Sequence, residues 1–152
     1  MHQYTATVAW TRKGAKFTDN KFSRAHEWRF DGGAVLPGSS SPLSVPVPYS
    51  DSAAVDPEEA LVAALSSCHM LFFLAYAARK GWVIESYTDE AVGTMDKNDS
   101  GKLAITHVRL RPHIIFAGAA PSQEEIDAVH HRSHEECYIA NSLKAHVDIE
   151  SA

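Results

Sequence analysis

The sequence has few basic residues and no cluster of them. Its 152 residues contain 14 lysines and arginines against 19 aspartates and glutamates, which gives a formal net charge of -5. Because a nucleic-acid-binding surface needs clustered cations to neutralise phosphates, we expect no nucleic-acid partner. The hydrophobic share of 45% is enough for a packed core and argues against disorder. A single domain over residues 1–152 is the simplest organisation for this length.

Cysteine is also scarce, with only Cys68 and Cys137 in the chain. The first residues show no basic region followed by an apolar one, so no signal peptide is predicted and a cytoplasmic location is expected. Thiols in that compartment stay reduced unless they have a function. The two cysteines are therefore either buried bystanders or a functional pair.

The segment from Asp56 to Gly81 predicts one long helix around which the rest of the chain packs. Asp56 can cap the first turn, Pro57 suits the first helical position, and Glu59 completes a capping box. Gly81 can close the other end in a left-handed conformation. Between these ends, residues 60–78 are apolar on nearly every face, which predicts a helix buried all round.

A membrane span is the first alternative for this helix, because about 20 apolar residues cross a bilayer. Much of the segment is alanine, and the polar residues 66–69 fall at its midpoint, where burial in lipid is costly. We therefore expect a soluble core helix and no membrane partner.

The remaining pattern predicts an α+β fold, mainly antiparallel sheet around the long central helix. A second helix is expected to begin at Ser122, with Glu125 completing another capping box and Cys137 near the helix end. A slip in the alternation between Ile105 and Val108 predicts a bulge or a bend. Apolar alternation predicts strands in residues 4–10, 22–30, 83–95, 102–116 and 143–149, with a hairpin turn at 96–101.

Arg24 shares the parity of the apolar residues in its predicted strand. Counting by two from Phe22 to Trp28 puts Arg24 and His26 on the inward face, while Arg29 points the other way. An inward guanidinium needs an anionic partner, so an acid or a thiolate is expected opposite it. The alternative is an arginine at a strand end that extends to water.

These residues together are the parts that a reactive thiolate needs. A cation such as Arg24 favours the thiolate, and a second inward cysteine can resolve an oxidised intermediate. Glu58 can support the cation or simply favour the helix dipole. In one continuous helix, Glu58 and Cys68 lie about 15 Å apart along the axis, too far to touch. Either the helix starts later than Pro57, or the two meet across a subunit interface, which we favour.

The sequence resembles the OsmC/Ohr family of thiol-dependent peroxidases over nearly its whole length. The resemblance is carried by Asp-Pro-Glu-Glu at 56–59, by Ala-Ala-Leu-Ser-Ser-Cys ending at Cys68, and by Cys137 near a helix end. It implies an intertwined homodimer with two interface sites. Tyr138 stands where family members commonly have proline, and Arg24 lies outside a glycine-rich hairpin, which indicates an OsmC-like branch.

The resemblance also implies roles for four residues. Cys68 corresponds to the peroxidatic cysteine, Cys137 to the resolving one, Arg24 to the activating arginine and Glu58 to its carboxylate partner. The implied substrates are organic hydroperoxides, with hydrogen peroxide as a second class. No cofactor is expected, and an external dithiol, lipoyl-type in some members, resets the cysteines. His26 and His69 are extra candidates for tuning the thiol.

Two alternatives from other functional classes remain open at the level of sequence. One is a non-catalytic OsmC-like protein that binds a small apolar ligand. The other is a metal-binding domain, because His130, His134 and Cys137 recur at spacings of four and three on one helical face.

Overall fold

The computed structural model describes residues 1–151, and its helices and antiparallel-rich sheets form an α+β fold. This confirms the predicted fold class. Contacts group the chain into two compact units, Met1–Ala60 and Leu61–Ala152, each described by itself here. The single domain over residues 1–152 stays a prediction.

The first unit contains an antiparallel three-stranded sheet. The strands are β1 (Ala6–Ala9), β2 (His26–Phe30) and β3 (Val35–Gly38), with β2 in the middle. A short 3-10 turn at Phe17–Asp19 lies between β1 and β2. The apolar alternation of the first predicted strand implied one inward face, which is wrong for the single chain, since Val8 is 65% exposed.

Helix α1 spans Pro57–Arg79, close to the predicted range. Its N-terminus is capped as expected: the Glu59 amide donates to the Asp56 carboxylate at 2.8 Å, and the Asp56 amide donates to the Glu59 carboxylate at 3.3 Å. Gly81, just beyond the helix, takes a φ of 80°, a left-handed conformation that glycine adopts without strain.

The prediction that α1 is buried all round is wrong for the single chain. One stripe is buried, and it consists of Leu65, His69, Phe73 and Ala77 at spacings of four. The opposite side of the helix is exposed, and the exposed face comprises Ala64, Ser67, Leu71, Ala75 and Ala78. By length and composition α1 could cross a bilayer, but core helices of soluble proteins meet the same criterion.

The second unit holds two further sheets and two helices. β4 (Ile84–Asp89) pairs with β7 (Pro112–Phe116), and β6 (Leu103–Leu110) lies between β5 (Val92–Lys97) and β8 (His146–Ile149). All pairs are antiparallel except β6 with β8. The helices are α2 (Gln123–Glu136) and α3 (Tyr138–Ser142).

The two long strands predicted around the hairpin are each divided in two. The break at 90–91 separates β4 from β5, and the break at Arg111 separates β6 from β7, where Pro112 opens a new strand. The predicted bulge is confirmed: Thr94 pairs with His107 and Met95 with Ile105, so Thr106 is the extra residue.

The core of the second unit has two apolar clusters. One is built on Leu65, Val108, Leu110 and Cys137, and the other on Phe73, Ala77, Ile126 and Val129. Helix α2 begins as predicted, because the Ser122 and Glu125 side chains form a reciprocal capping box. The cap fixes where the helix starts and hence where Cys137 falls at its end.

Candidate active site

The two cysteines are neighbours in the core of the second unit. Cys68 lies in the middle of α1 and is half-buried, whereas Cys137 is fully buried between α2 and α3. Both belong to the cluster around Leu65 and Val108. Both thiols are free, and the two side chains are neighbours in this cluster. The predicted inward position of both cysteines is therefore what the structure has.

Cys137 occupies the corner where one helix ends and the next begins. It follows the last residue of α2 and caps α3, where its sulfur accepts the Ala140 amide proton at 3.4 Å. Burial raises the pKa of the Cys137 thiol to about 11, and the neighbouring Cys68 thiol acts in the same direction. The Ala140 hydrogen bond opposes this pKa rise. Cys137 therefore stays protonated at neutral pH.

Arg24 has the predicted parity but not the predicted partner. Phe22, Arg24, His26 and Trp28 are all half-buried, although regular strand geometry begins only at His26. The guanidinium donates to the Asn20 backbone and side-chain oxygens at 3.0 and 2.7 Å and to the Phe22 carbonyl. It also lies 3.8 Å from the centre of the Phe22 ring.

All of these Arg24 partners are neutral. Within residues 1–151 of one chain, no carboxylate lies within ion-pair distance of Arg24, so the expected anion is not found there. Because the guanidinium has no ion-pair partner there, its positive charge is available to an anion from outside residues 1–151 of the same chain.

Within the described residues, Glu58 lacks a hydrogen-bond donor, just as Arg24 lacks an anionic partner. It lies in the first turn of α1, and its Oε2 atom is buried with no hydrogen-bond partner in the described chain. A buried carboxylate oxygen without a donor is costly, which indicates a missing cation or donor. Because α1 starts at Pro57, a later helix start is excluded, and ten residues of one helix separate Glu58 from Cys68.

Both candidate histidines are hydrogen-bonded to groups other than the thiol. In the first unit, the Trp28 indole donates to His26 Nε2 at 2.9 Å, and His26 Nδ1 donates to the Arg24 carbonyl at 2.7 Å. His69 lies 3.0 Å from His130 Nδ1 through its Nε2 atom. Burial, with the charges of His130 and His134, lowers the pKa of His69 to about 3, so it is neutral near pH 7.

An apolar groove of about 380 Å³ lies in the first unit beside Arg24. Trp10, Phe17 and Phe22 form an aromatic cluster with ring centres 4.6 to 5.8 Å apart. The sequence reasoning missed Phe17, although an aromatic residue within a turn-rich segment is a signal that could have indicated it. The lining residues are Val8, Trp10, Phe17, Phe22, Arg24, His26 and Ser40.

The metal alternative built on His130, His134 and Cys137 is not supported. Within residues 1–151, the donor atoms of these three side chains do not all lie within 4.8 Å of one another. His130 instead turns toward His69 and packs against Phe73 with the two rings tilted and their centres 4.3 Å apart. Helical spacing alone did not predict the direction in which each side chain points.

Comparison with known proteins identifies relatives over the whole chain. A family model described as OsmC-like protein matches residues 50–152. A Vibrio cholerae structure, an OsmC-like protein of unknown function, is 51% identical, with full coverage of both chains and a TM-score of 0.98. No curated protein matches.

More distant structures share the fold. An organic hydroperoxide resistance protein OsmC from Legionella pneumophila is 16% identical, with a TM-score of 0.68 over 99% of this chain and 96% of its own. The organic hydroperoxide resistance protein OhrB of Bacillus subtilis is 17% identical, with a TM-score of 0.64 over the same shares.

Proposed function

The chain belongs to the OsmC-like family, and from this premise we propose that it is a thiol-dependent peroxidase that reduces organic hydroperoxides. The observation that carries the proposal is the pair of neighbouring free thiols, Cys68 and Cys137, in one core cluster. The two sulfurs differ in access, since Cys68 is half-buried and Cys137 fully buried. This asymmetry suits one cysteine that meets substrate and one that does not.

The proposed reaction has three steps. The Cys68 thiolate attacks the outer oxygen of a hydroperoxide, the O–O bond breaks, and the leaving alkoxide takes a proton to become an alcohol. Cys68 is thereby oxidised to a sulfenic acid. The Cys137 sulfur then attacks Cys68, and the hydroxyl group leaves with the Cys137 proton as water, giving a disulfide. An external dithiol reduces that disulfide by exchange.

Cys137 is poorly suited to the first step. Burial raises its pKa to about 11, so only a very small fraction is thiolate at neutral pH. In the second step it needs only to lie next to an oxidised Cys68, and its position in the same core cluster supports that. We therefore assign Cys68 as the peroxidatic cysteine and Cys137 as the resolving one.

Activation of Cys68 is proposed to require a second copy of the chain. Arg24 has no anionic partner, and a buried Glu58 oxygen has no donor, in the described chain. In the proposed homodimer, Arg24 stabilises the Cys68 thiolate and the charge that develops on the departing oxygen, and Glu58 orients the guanidinium. Part of this set comes from the second subunit. The exposed face of α1, around Leu71, is the surface proposed to meet that subunit.

The aromatic groove beside Arg24 supports organic hydroperoxides over hydrogen peroxide as the preferred substrate. Its walls are Trp10, Phe17 and Phe22, which can bury an alkyl or aryl group but offer little to a small polar molecule. We place the reaction in the cytoplasm and propose a lipoyl-type dithiol as the external reductant.

The test is intact-mass analysis of the reduced protein before and after one equivalent of cumene hydroperoxide. We expect loss of two hydrogen atoms and a peptide that links Cys68 to Cys137. The Cys68→Ser variant is expected to consume no hydroperoxide. The Cys137→Ser variant is expected to gain one oxygen and then stall until a small thiol is added.

The control is hydrogen peroxide at the same concentration, which is expected to react more slowly than cumene hydroperoxide. Undiminished turnover by Cys68→Ser, or no change in mass with either peroxide, would rule out the proposed function. The second result would leave a non-catalytic OsmC-like protein.

A further inference from the structure

Two histidines and one aspartate converge on the outer face of the sheet formed by β5, β6 and β8. In the parallel pairing of β6 with β8, His107 stands directly opposite His146, and their ring centres are 5.4 Å apart. Asp148 lies two residues beyond His146 and so on the same face of β8. Its carboxylate contacts His107 Nε2 at 2.7 Å through one oxygen and His146 Nε2 at 3.0 Å through the other.

This face of the sheet is turned away from the cysteines. Val108 and Val147, the next residues along each strand, pack into the core cluster that contains Cys137. The three side chains on the outer face remain open to solvent, with 30%, 74% and 48% of the His107, His146 and Asp148 side chains exposed. The cluster therefore has no part in the proposed peroxidase chemistry.

The ligand atoms already have the spacing of a metal site. In the part of the chain that the structure describes, this is the one group of three such side chains whose donor atoms all lie within 4.8 Å of one another. Imidazole nitrogen and carboxylate oxygen bind Zn²⁺ at about 2.0–2.2 Å. An ion between the three donors therefore needs only small side-chain movements.

We propose that His107, His146 and Asp148 bind a late first-row divalent cation of the Zn²⁺ type. In the metal-free chain each Nε2–H donates to the Asp148 carboxylate. On metal binding each imidazole gives up that hydrogen bond and binds through Nε2 as the neutral tautomer that carries its proton on Nδ1, and the carboxylate supplies the negative charge. Two imidazoles and one carboxylate favour transition metals over Mg²⁺ or Ca²⁺, which prefer all-oxygen sites. Three protein ligands leave a further position for water.

The surrounding charges allow a cation at this position. The cation on this face, Arg109, is engaged by Glu150 at 2.9 Å and so does not compete for Asp148. In the described chain Asp148 makes no ion pair with a lysine or arginine, so its carboxylate is open to a bound cation. Both features favour binding of a metal.

The same chain supplies a matched control. His131 and Glu135 also form an exposed histidine–carboxylate contact, at 3.3 Å on α2, but the described chain offers no third ligand there. A two-ligand contact of this kind should bind metal far more weakly than the three-ligand cluster. His131→Gln therefore removes an exposed histidine without touching the proposed site.

The experiment is isothermal titration of tag-free protein with ZnCl₂ at about pH 7.5, repeated with MgCl₂. We expect one Zn²⁺ per chain, no Mg²⁺ uptake, and a metal-dependent rise in melting temperature because the ion joins β6 to β8. His146→Gln and Asp148→Asn should each weaken Zn²⁺ binding by at least about tenfold. His131→Gln should bind Zn²⁺ like the parent.

Two results would overturn the proposal. One is Zn²⁺ binding that is equally strong in the parent, His146→Gln and Asp148→Asn, and the other is no uptake at one equivalent by the parent. Since all three substitutions are at exposed positions, circular dichroism of the metal-free variants checks that each is folded. The metal-free parent is expected to consume hydroperoxide at the same rate as the Zn²⁺-loaded parent. The outcome of this test is therefore separate from that of the peroxidase test.

Discussion

The two thiols of the candidate site differ in what surrounds each sulfur. Cys137 is fully buried, and its pKa of about 11 keeps it in the thiol form. Cys68 is half-buried on α1. Because alkylating reagents react with exposed thiolates, the two cysteines should label at very different rates.

We expect iodoacetamide at about pH 7.5 to modify Cys68 and leave Cys137 unmodified in the native protein. Peptide mapping at several times measures the two rates, and labelling in urea shows that both thiols can react. In Cys68→Ser, Cys137 should remain protected, because burial is the largest cause of its raised pKa. Equal native rates would contradict this assignment.

A second residue pair, His69 and His130, forms a neutral contact in the core. The facing ring nitrogens are 3.0 Å apart and the rings are stacked, so one ring donates the proton and the other accepts it. Burial lowers the pKa of His69 to about 3. Burial also lowers the pKa of His130 to about 4, against the opposing charges of Asp127 and Asp89.

These shifts predict loss of stability on acidification. The unfolded chain binds protons at the ordinary histidine pKa of 6.5, whereas the folded chain does so only near 3 to 4. The stabilising contribution is therefore complete above about pH 6.5 and is lost as the pH falls toward 4. In urea unfolding between about pH 6 and 5, His130→Gln should lose less stability than the parent, by roughly 1 kcal/mol per pH unit.

His131→Gln is the control for this measurement, because His131 is exposed on the same helix. Its pH slope should match that of the parent. The prediction fails if His130→Gln and the parent lose stability at the same rate.

At the residue scale, the sequence predicted which side chains face inward but not which ones meet. Period-two counting placed Arg24 on the side of Phe22 and Trp28, and the structure agrees. It could not predict that Arg24 folds back onto Asn20, because that depends on an irregular turn. The contact between His69 and His130 joins two helices far apart in the sequence, so no local pattern could indicate it.

At the scale of the elements, β5 packs closely against α1 at a point where the strand has a glycine, Gly93. A Cβ atom at Gly93 would lie 2.5 Å from the Val62 side chain. Since real side chains do not tolerate such a distance, the strand and the helix can pack here only without a side chain on the strand.

Gly93→Ala should therefore destabilise the protein by about 1–3 kcal/mol, the usual cost of overpacking. Chemical unfolding measures the change in the free energy of unfolding. Gly32→Ala is the matched control, because a Cβ there meets nothing within 4 Å. Val62→Ala in the Gly93→Ala background should recover part of the loss, and a double variant with no recovery would contradict the packing argument.

Element boundaries were predictable wherever a local cap fixes them. Asp56 with Glu59, and Ser122 with Glu125, begin α1 and α2 as expected. β3 was missed because Pro37 and Gly38 are typical of loops, yet they pair with Glu27 and His26 at the edge of a sheet. A proline on an edge strand breaks no hydrogen bond between strands, but the sequence does not show that this segment lies at an edge.

At the scale of the whole molecule, the exposed face of α1 is an apolar surface that the single chain leaves uncovered. Leu71 is 60% exposed within a row of small residues, directly opposite the buried stripe through Phe73. Small side chains allow two helices to approach closely, so this face suits packing against a second copy. The sequence predicted the need for a partner from apolarity alone, but not which stripe would face it.

Leu71→Glu should therefore shift the proposed dimer to monomer in sedimentation velocity and reduce the proposed hydroperoxide turnover. The fold should persist, because the side chain is exposed in the single chain. Leu103→Glu is the control: Leu103 is 71% exposed at the start of β6 and should leave both assembly and turnover unchanged. A fully active Leu71→Glu monomer would rule out the shared site.

One sulfur both occupies the candidate site and secures a bend in the backbone. Cys137 holds the first turn of α3 by accepting the Ala140 amide proton. If disulfide bonding to Cys68 draws the sulfur away from that amide, the first turn of α3 is held in the reduced protein and loosened in the oxidised one. The Ala140 amide would then exchange hydrogen for deuterium faster in the oxidised protein than in the reduced one, so its exchange rate would report the redox state.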